Sequence, residues 1–248
     1  AASPFRVRSE QFTVMLERRL GLPLTCLADL PACAETADPL GDALLVEGEH
    51  TTRHHLVVGA WCRATQAVRG ETHTFETKDE RPYSPGAIPD FVSEFGGGDG
   101  AHALYEVKLY NPIVTDPTLL RRGASYPFGA TEARLRQEIL GERAGTPGAP
   151  LPPRADGARR RAKYQAALDA GHDVVPLISE VWGGVAPEGI AFLRSLGQQC
   201  RHAPTLTATW AAQSFVAYWG QYVSLSIQRG VAREILKATM AASAREAK

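Results

Sequence analysis

A chain of 248 residues, 44% hydrophobic and 22% charged, can bury one full core, as a single domain or as one domain with appendages. Lys+Arg and Asp+Glu both number 27, so the formal net charge is zero; this excludes polyanion binding through bulk charge and leaves only a local basic patch for that role. No apolar run reaches membrane-spanning length and the opening AASPFRVRSE has no hydrophobic signal core, so no membrane partner is expected.

In chain order, residues 1–50 read as irregular, with a short helix from Glu10 to Leu20 before the turn at Gly21-Leu22-Pro23. A helix is predicted from Thr51, capped by Thr51 or Thr52, with Val57, Trp61, Ala64 and Val68 at helical spacing and Gly70 as its stop. Residues 71–77 (ETHTFET) alternate like a strand. Phe91–Phe95 and His102–Tyr110 read as two strands of a hairpin around the turn Gly96–Gly100. That turn, GGGDG, is no phosphate-cradling loop, because no helix follows it.

Thr131 is placed to cap a helix ending at Leu140, with Gly141 as its stop. A Pro/Gly loop follows, then a helix over Ala155–Ala170 closed by Gly171. Asp173–Trp182 is apolar and strand-like, and Pro187 opens a helix to about His202. From Thr207 a long helix is predicted, with Phe215, Tyr218, Tyr222, Leu225, Ala232 and Leu236 on one face and interruptions at Gly220 and Gly230. This order predicts an α/β (α+β) three-layer sandwich with a mixed central sheet. The divisions are an N-terminal segment over 1–50, a core over 51–203 and a C-terminal helical extension over 204–248.

The chemistry concentrates in Pro89-Asp90 and Glu106-Val107-Lys108. Strand alternation puts Glu106 and Lys108 on one face and Tyr105, Val107 and Leu109 on the core face, which leaves the acid and the amine pointing into a cleft. If Asp90 pairs opposite Glu106, all three groups converge, whereas a slip of one residue turns Asp90 away. Two carboxylates suit a hard cation, magnesium or manganese, and an ammonium steadies charge on a phosphate. Glu76 or Glu71 is a candidate extra acid. The competing reading is a surface ion pair between Glu106 and Lys108 that contributes little.

Several segments together resemble the PD-(D/E)XK nucleases, and more narrowly the restriction-like endonuclease domain at the C-terminal end of some non-LTR retrotransposon proteins. Gly41-Asp42-Ala43-Leu44-Leu45 resembles that family's Gly-Asp-His-Ala-Leu element, and Arg53-His54 its Arg-His at the start of the first helix. Pro89-Asp90 and Glu106-Val107-Lys108 resemble the catalytic pair, and Lys163-Tyr164 the Lys and Tyr of the next helix. Val174-Val175-Pro176-Leu177 with Gly183-Gly184 resembles the following strand and turn, and Trp219–Ala232 the terminal helix.

The resemblance implies a restriction-endonuclease-like fold and hydrolysis of DNA phosphodiester bonds, on a module derived from a mobile element. Asp90 and Glu106 would hold the metal, and Lys108 would stabilise the transition state. Lys163 and Tyr164 would contact the DNA backbone or support the site, and His54 would sit near substrate entry. Such domains usually follow a zinc knuckle, but Cys26 and Cys33 are too far apart for its C-x-x-C pair, and Ala43 and Glu47 stand where a His and a Cys belong. Four good ligands are lacking, so zinc is not expected.

The remaining features admit two readings each. Arg154, Arg159, Arg160, Arg161 and Lys163 form the one dense basic patch, either a solvated helix face or a phosphate-contacting one. His50, His54 and His55 make an incomplete metal set and read better as residues capping a helix against solvent. Trp210, Tyr218, Trp219 and Tyr222 read as core or as a protein-partner face before a base-stacking one. The four cysteines, Cys26, Cys33, Cys62 and Cys200, read as free thiols of a reducing compartment. Two functions remain: a metal-dependent endonuclease acting on duplex DNA, or a retired nuclease fold serving as a structural or nucleic-acid-binding subunit of a larger nucleoprotein assembly. Either is expected inside the cell, in a nucleus or an organelle.

Overall fold

The computed structural model describes residues 5–28, 41, 45, 50–69, 72–73, 87–93, 102–111, 135–143, 146–150, 162–200 and 214–246. Its elements are α1 (Ser9–Leu20), α2 (His50–Arg69), β1 (Thr72–His73), β2 (Phe91–Ser93), β3 (Ala103–Tyr110), β4 (Glu142–Arg143), β5 (Thr146–Pro150), α3 (Gln165–Asp169), β6 (Asp173–Glu180), α4 (Pro187–Gln199) and α5 (Phe215–Glu246). A single 3-10 turn covers Thr25–Leu27, and residues 135–140 are helical.

One sheet has the order β1-β2-β3-β6, and β4 and β5 form a separate antiparallel pair. β1 and β2 are antiparallel, as are β2 and β3, while β3 and β6 run parallel, so the sheet is mixed. Pro176, which cannot donate to the ladder, stands in β6 at the end of this strand order, where its missing N–H is tolerated.

Alternation along β3 sorts its side chains between two cores. Ala103, Tyr105 and Val107 join Phe91 and Leu177 against Val57 and Trp61 of α2, Phe192, Leu193 and Leu196 of α4, and Tyr218, Trp219, Tyr222 and Val223 of α5. On the opposite face, Val92 and Leu104 pack against Ile139, Tyr164 and Ala167. The sheet is therefore covered on both sides, and the α/β expectation holds at the level of a mixed sheet between helical layers. A third cluster joins Val14 of α1, Leu24, Leu27, Leu45 and Val181 to Val231 and Ile235 of α5. Among the described residues no helix is long and apolar enough to cross a membrane.

Several local expectations are corrected. Thr51 and Thr52 lie inside α2 rather than capping it. The strand expected over 71–77 is described only at Thr72–His73; Glu71 and Glu76 lie outside the described residues. The helix expected over Ala155–Ala170 is described only as the single turn of α3, and Lys163-Tyr164 sit in the turn before it. α4 ends at Gln199, short of His202. α5 runs through Gly220 and Gly230 without a break. Its length lets tertiary packing on one apolar face outweigh two glycine penalties of about 1 kcal/mol each.

Gly230 has a packing role. A Cβ there would stand 3.0 Å from the Cα of Arg53, so the glycine is what lets α5 approach α2. The residues expected to form a C-terminal extension are thus part of the main core: Tyr218, Trp219 and Tyr222 are buried in it, as the core reading required, while Trp210 lies outside the described residues.

Candidate functional site

The register decides the central question. Phe91 pairs with Tyr105 and Val92 with Leu104, so continuing the ladder by one residue sets Asp90 opposite Glu106. Asp90 closes this end of the β2–β3 ladder through its own groups. Its N–H donates to the Tyr105 carbonyl at 2.8 Å, and its Oδ2 accepts the Val107 N–H at 2.6 Å. Asp90 thereby clamps the two peptide groups that flank Glu106.

Glu106 is not in the open cleft expected of it. Its side chain is only 3% exposed, because the face it shares with Leu104 is covered by the layer carrying Tyr164. A buried carboxylate has to be hydrogen-bonded or paired, and this one is both. Oε1 receives the ammonium of Lys108 at 2.7 Å and that of Lys163 at 2.6 Å, and Oε2 accepts the Tyr164 hydroxyl. Lys108 and Lys163 keep 31% and 29% of their side chains exposed, so the cluster is buried at the carboxylate and wet at its cations.

The segment carrying Lys163 and Tyr164 is held by a neighbouring helix end. The N–H groups of Lys163 and Tyr164 donate to the carbonyls of Glu138 and Ile139 at 3.0 and 3.4 Å, two acceptors the end of that helix leaves without an intrahelical partner. Gly141 stops the helix with φ +68, in the left-handed region, and a Cβ there would lie 3.0 Å from Ala162 Cβ. The predicted helix stop therefore also sets how close this turn comes.

His54 enters from α2. Its Nε2 lies 3.3 Å from Asp90 Oδ1 and 3.3 Å from the Val107 carbonyl. It is part-buried against the site and does not cap the helix against solvent. The hydrogen bond to Asp90 outweighs burial and raises the His54 pKa above the usual imidazole value. Burial pulls the Lys108 ammonium down, but Glu106, with Asp90 and Glu138, pulls it further up, so it is held charged. Burial first, and the Glu106 charge second, raise Tyr164 far above a normal phenol, so it is a neutral donor.

Of the residues singled out in the sequence, Asp90, Glu106, Lys108, His54, Lys163 and Tyr164 thus lie in one cluster. Arg159 and Arg160 lie outside the described residues, as does Cys33; Cys26, Cys62 and Cys200 are not joined to one another by a disulfide. One ionic residue the sequence reading passed over is Glu234, whose carboxylate lies 3.2 Å from the Arg53 guanidinium between α5 and α2. Its signal was available, as an acid on the apolar face of a helix four residues beyond a glycine.

The two carboxylates are of the donor type that hard divalent cations take, and each of their oxygens has a protein partner in this structure. Asp90, just before β2, and Glu106 of β3 face each other at the end of the ladder, and magnesium is commonly held by one or two carboxylates with water and phosphate completing the shell. Among the described residues no group of three or more His, Cys, Asp or Glu is arranged to hold a metal ion by itself, so protein carboxylates alone would not complete a cation's shell here. Comparisons with protein-family models, with curated proteins and with solved structures find no match for this chain.

Proposed function

We propose that this protein is a metal-dependent endonuclease-like domain hydrolysing phosphodiester bonds of duplex DNA, on a restriction-endonuclease-like fold derived from a mobile-element module. The reading is supported by one observation above the rest: Asp90 brackets Glu106 at a strand end while Lys108 shares the Glu106 face. Three charged groups scattered over nineteen positions of sequence meet at one place because the β2–β3 register brings them there.

In this reading Asp90 and Glu106 would hold magnesium or manganese, which would supply Lewis-acid polarisation of the phosphate and a more acidic water. Lys108, charged and half-buried, stabilises the negative charge that builds on the phosphate oxygens. His54 fixes one Asp90 oxygen and Val107 N–H fixes the other, so the aspartate's orientation is set before substrate arrives. Tyr164 fixes Glu106 in the same way. Arg159, Arg160 and Lys163 are the proposed contacts to the DNA backbone, and the working compartment is a nucleus or an organelle.

A second reading is favoured by a different observation. Every carboxylate oxygen of Asp90 and Glu106 already has a protein partner, which is what a retired nuclease fold, kept as a structural or nucleic-acid-binding subunit of a larger assembly, would show. Plasmid nicking in magnesium separates the two. The wild-type chain is expected to nick supercoiled DNA, and Lys108→Ala to lose about two orders of magnitude of rate. No nicking by the wild type, or equal nicking by Lys108→Ala, selects the second reading.

A further inference from the structure

Glu106 carries an unusual load for a single carboxylate: two ammonium groups meet one of its oxygens. Oε1 takes Lys108 at 2.7 Å and Lys163 at 2.6 Å, while the Tyr164 hydroxyl takes Oε2. A carboxylate oxygen offers about two lone-pair directions. Oε1 is therefore full, and a divalent ion approaching it has to displace one of the two lysines.

The fold makes them unequal. Lys108 stands two residues from Glu106 on the same strand and the same face, so its ammonium stays beside the carboxylate whatever else binds there. Lys163 reaches Glu106 from another layer, on the turn before α3, with its backbone tied to Glu138 rather than to the sheet. Its ammonium also lies 5.3 Å from the centre of the buried Tyr164 ring, and 29% of the Lys163 side chain is exposed, so the long stem can carry the ammonium outward to solvent.

We propose that Lys163 is a tethered cation that occupies the Glu106 side of the metal position and is displaced outward when a divalent ion binds. The two carboxylates then trade one protein cation for a metal, and the departing ammonium becomes available to an anionic group at the mouth of the site. Lys163 is a positioning residue in this scheme. It sets how much metal the protein needs, so the ion is held weakly until something else, such as a phosphate, draws the lysine away.

This inference rests on the metal-dependent reading above, and its test distinguishes the two. Manganese is titrated into the full chain without DNA, and free ion is read from its electron paramagnetic resonance signal. Lys163→Met is expected to bind manganese about tenfold more tightly than wild type, because no charge-assisted hydrogen bond has to be broken first. Glu106→Gln is expected to abolish binding in both backgrounds. Equal or weaker binding by Lys163→Met overturns the displacement but leaves the metal-dependent reading standing. Absence of manganese binding to every form overturns both.

A measurement on the wild type guards against a variant that fails to fold. Acylation of Lys163 by an amine-directed reagent, mapped by mass spectrometry, is expected to rise several-fold on adding manganese while Lys108 changes little. No rise at Lys163 overturns the proposal.

Discussion

Two buried ionic clusters in this molecule share their ingredients and differ in how they meet solvent. Between α2 and α5, the Arg53 guanidinium and the Glu234 carboxylate lie 3.2 Å apart with only 6% of each side chain exposed. On the other side of the sheet, Glu106 is equally buried, but its two cations are roughly ten times less hidden than it is, at 31% and 29%. The first pair is closed off where two helices cross at a glycine, and burial lowers the Arg53 pKa against the pull of Glu234. Such a pair registers one helix on another and, at 6% exposure on each side, is shielded from solvent. The second has cations that reach solvent, as the proposed site requires. Burial of a charge does not distinguish structure from function, whereas access to its counter-ion does.

The sharpest way to break this comparison is at the closed pair. Arg53→Met removes the guanidinium 3.2 Å from the buried Glu234 and is expected to destabilise the fold by about 3–5 kcal/mol, while the double change Arg53→Met with Glu234→Leu recovers most of that loss. Chemical denaturation of both variants checks this; a double variant no more stable than the single one would show that the pair itself, and not the buried charge, carries the stability.

A smaller effect is expected at the open cluster. Tyr164→Phe removes the one neutral donor to Glu106 and should destabilise by about 1–3 kcal/mol, since both lysines remain to compensate the carboxylate. If the loss matches that of Arg53→Met, the two clusters are alike and the distinction drawn between them fails.

The smallest effect, and the one with a pH signature, is at His54. Its folded pKa is raised, so its stabilising contact with Asp90 is fully present below the unfolded value of about 6.5 and declines as pH rises through the folded value. Melting temperatures of wild type and His54→Gln, compared from about pH 5 to pH 9, should therefore converge towards the alkaline end. A constant difference over that range would mean that the imidazole acts by packing and not by charge.

How far the sequence could be read depended on whether the deciding forces were local. Gly21 and Gly141 were legible as helix stops, and both have positive φ. The apolar spacing of Val57, Trp61 and Ala64 correctly gave a buried face to α2. The Thr51 cap was misplaced because the helix already includes His50, and capping residues stand out in sequence only when the chain outside the helix is truly non-helical. The cleft expected around Glu106 was wrong for a different reason. Alternation gives which side chains share a face, but not whether a further layer covers that face, and here Tyr164 and Ile139, distant in sequence, cover it.

The order of α2, β2, β3, β6, α4 and α5, their apolar faces, and the chemical identity of Asp90, Glu106 and Lys108 were determined by the sequence itself, because periodicity and residue type act over a few neighbouring positions, whereas the β4–β5 pair stands where a Pro/Gly loop was expected. Three things were decided only in three dimensions: the register that sets Asp90 beside Glu106, the arrival of Lys163 and Tyr164 on that carboxylate, and the pairing of Arg53 with Glu234. Each joins residues from separate elements, so each is selected by the packing of layers against one another and by the need to satisfy a charge once it is buried, neither of which a short stretch of chain contains.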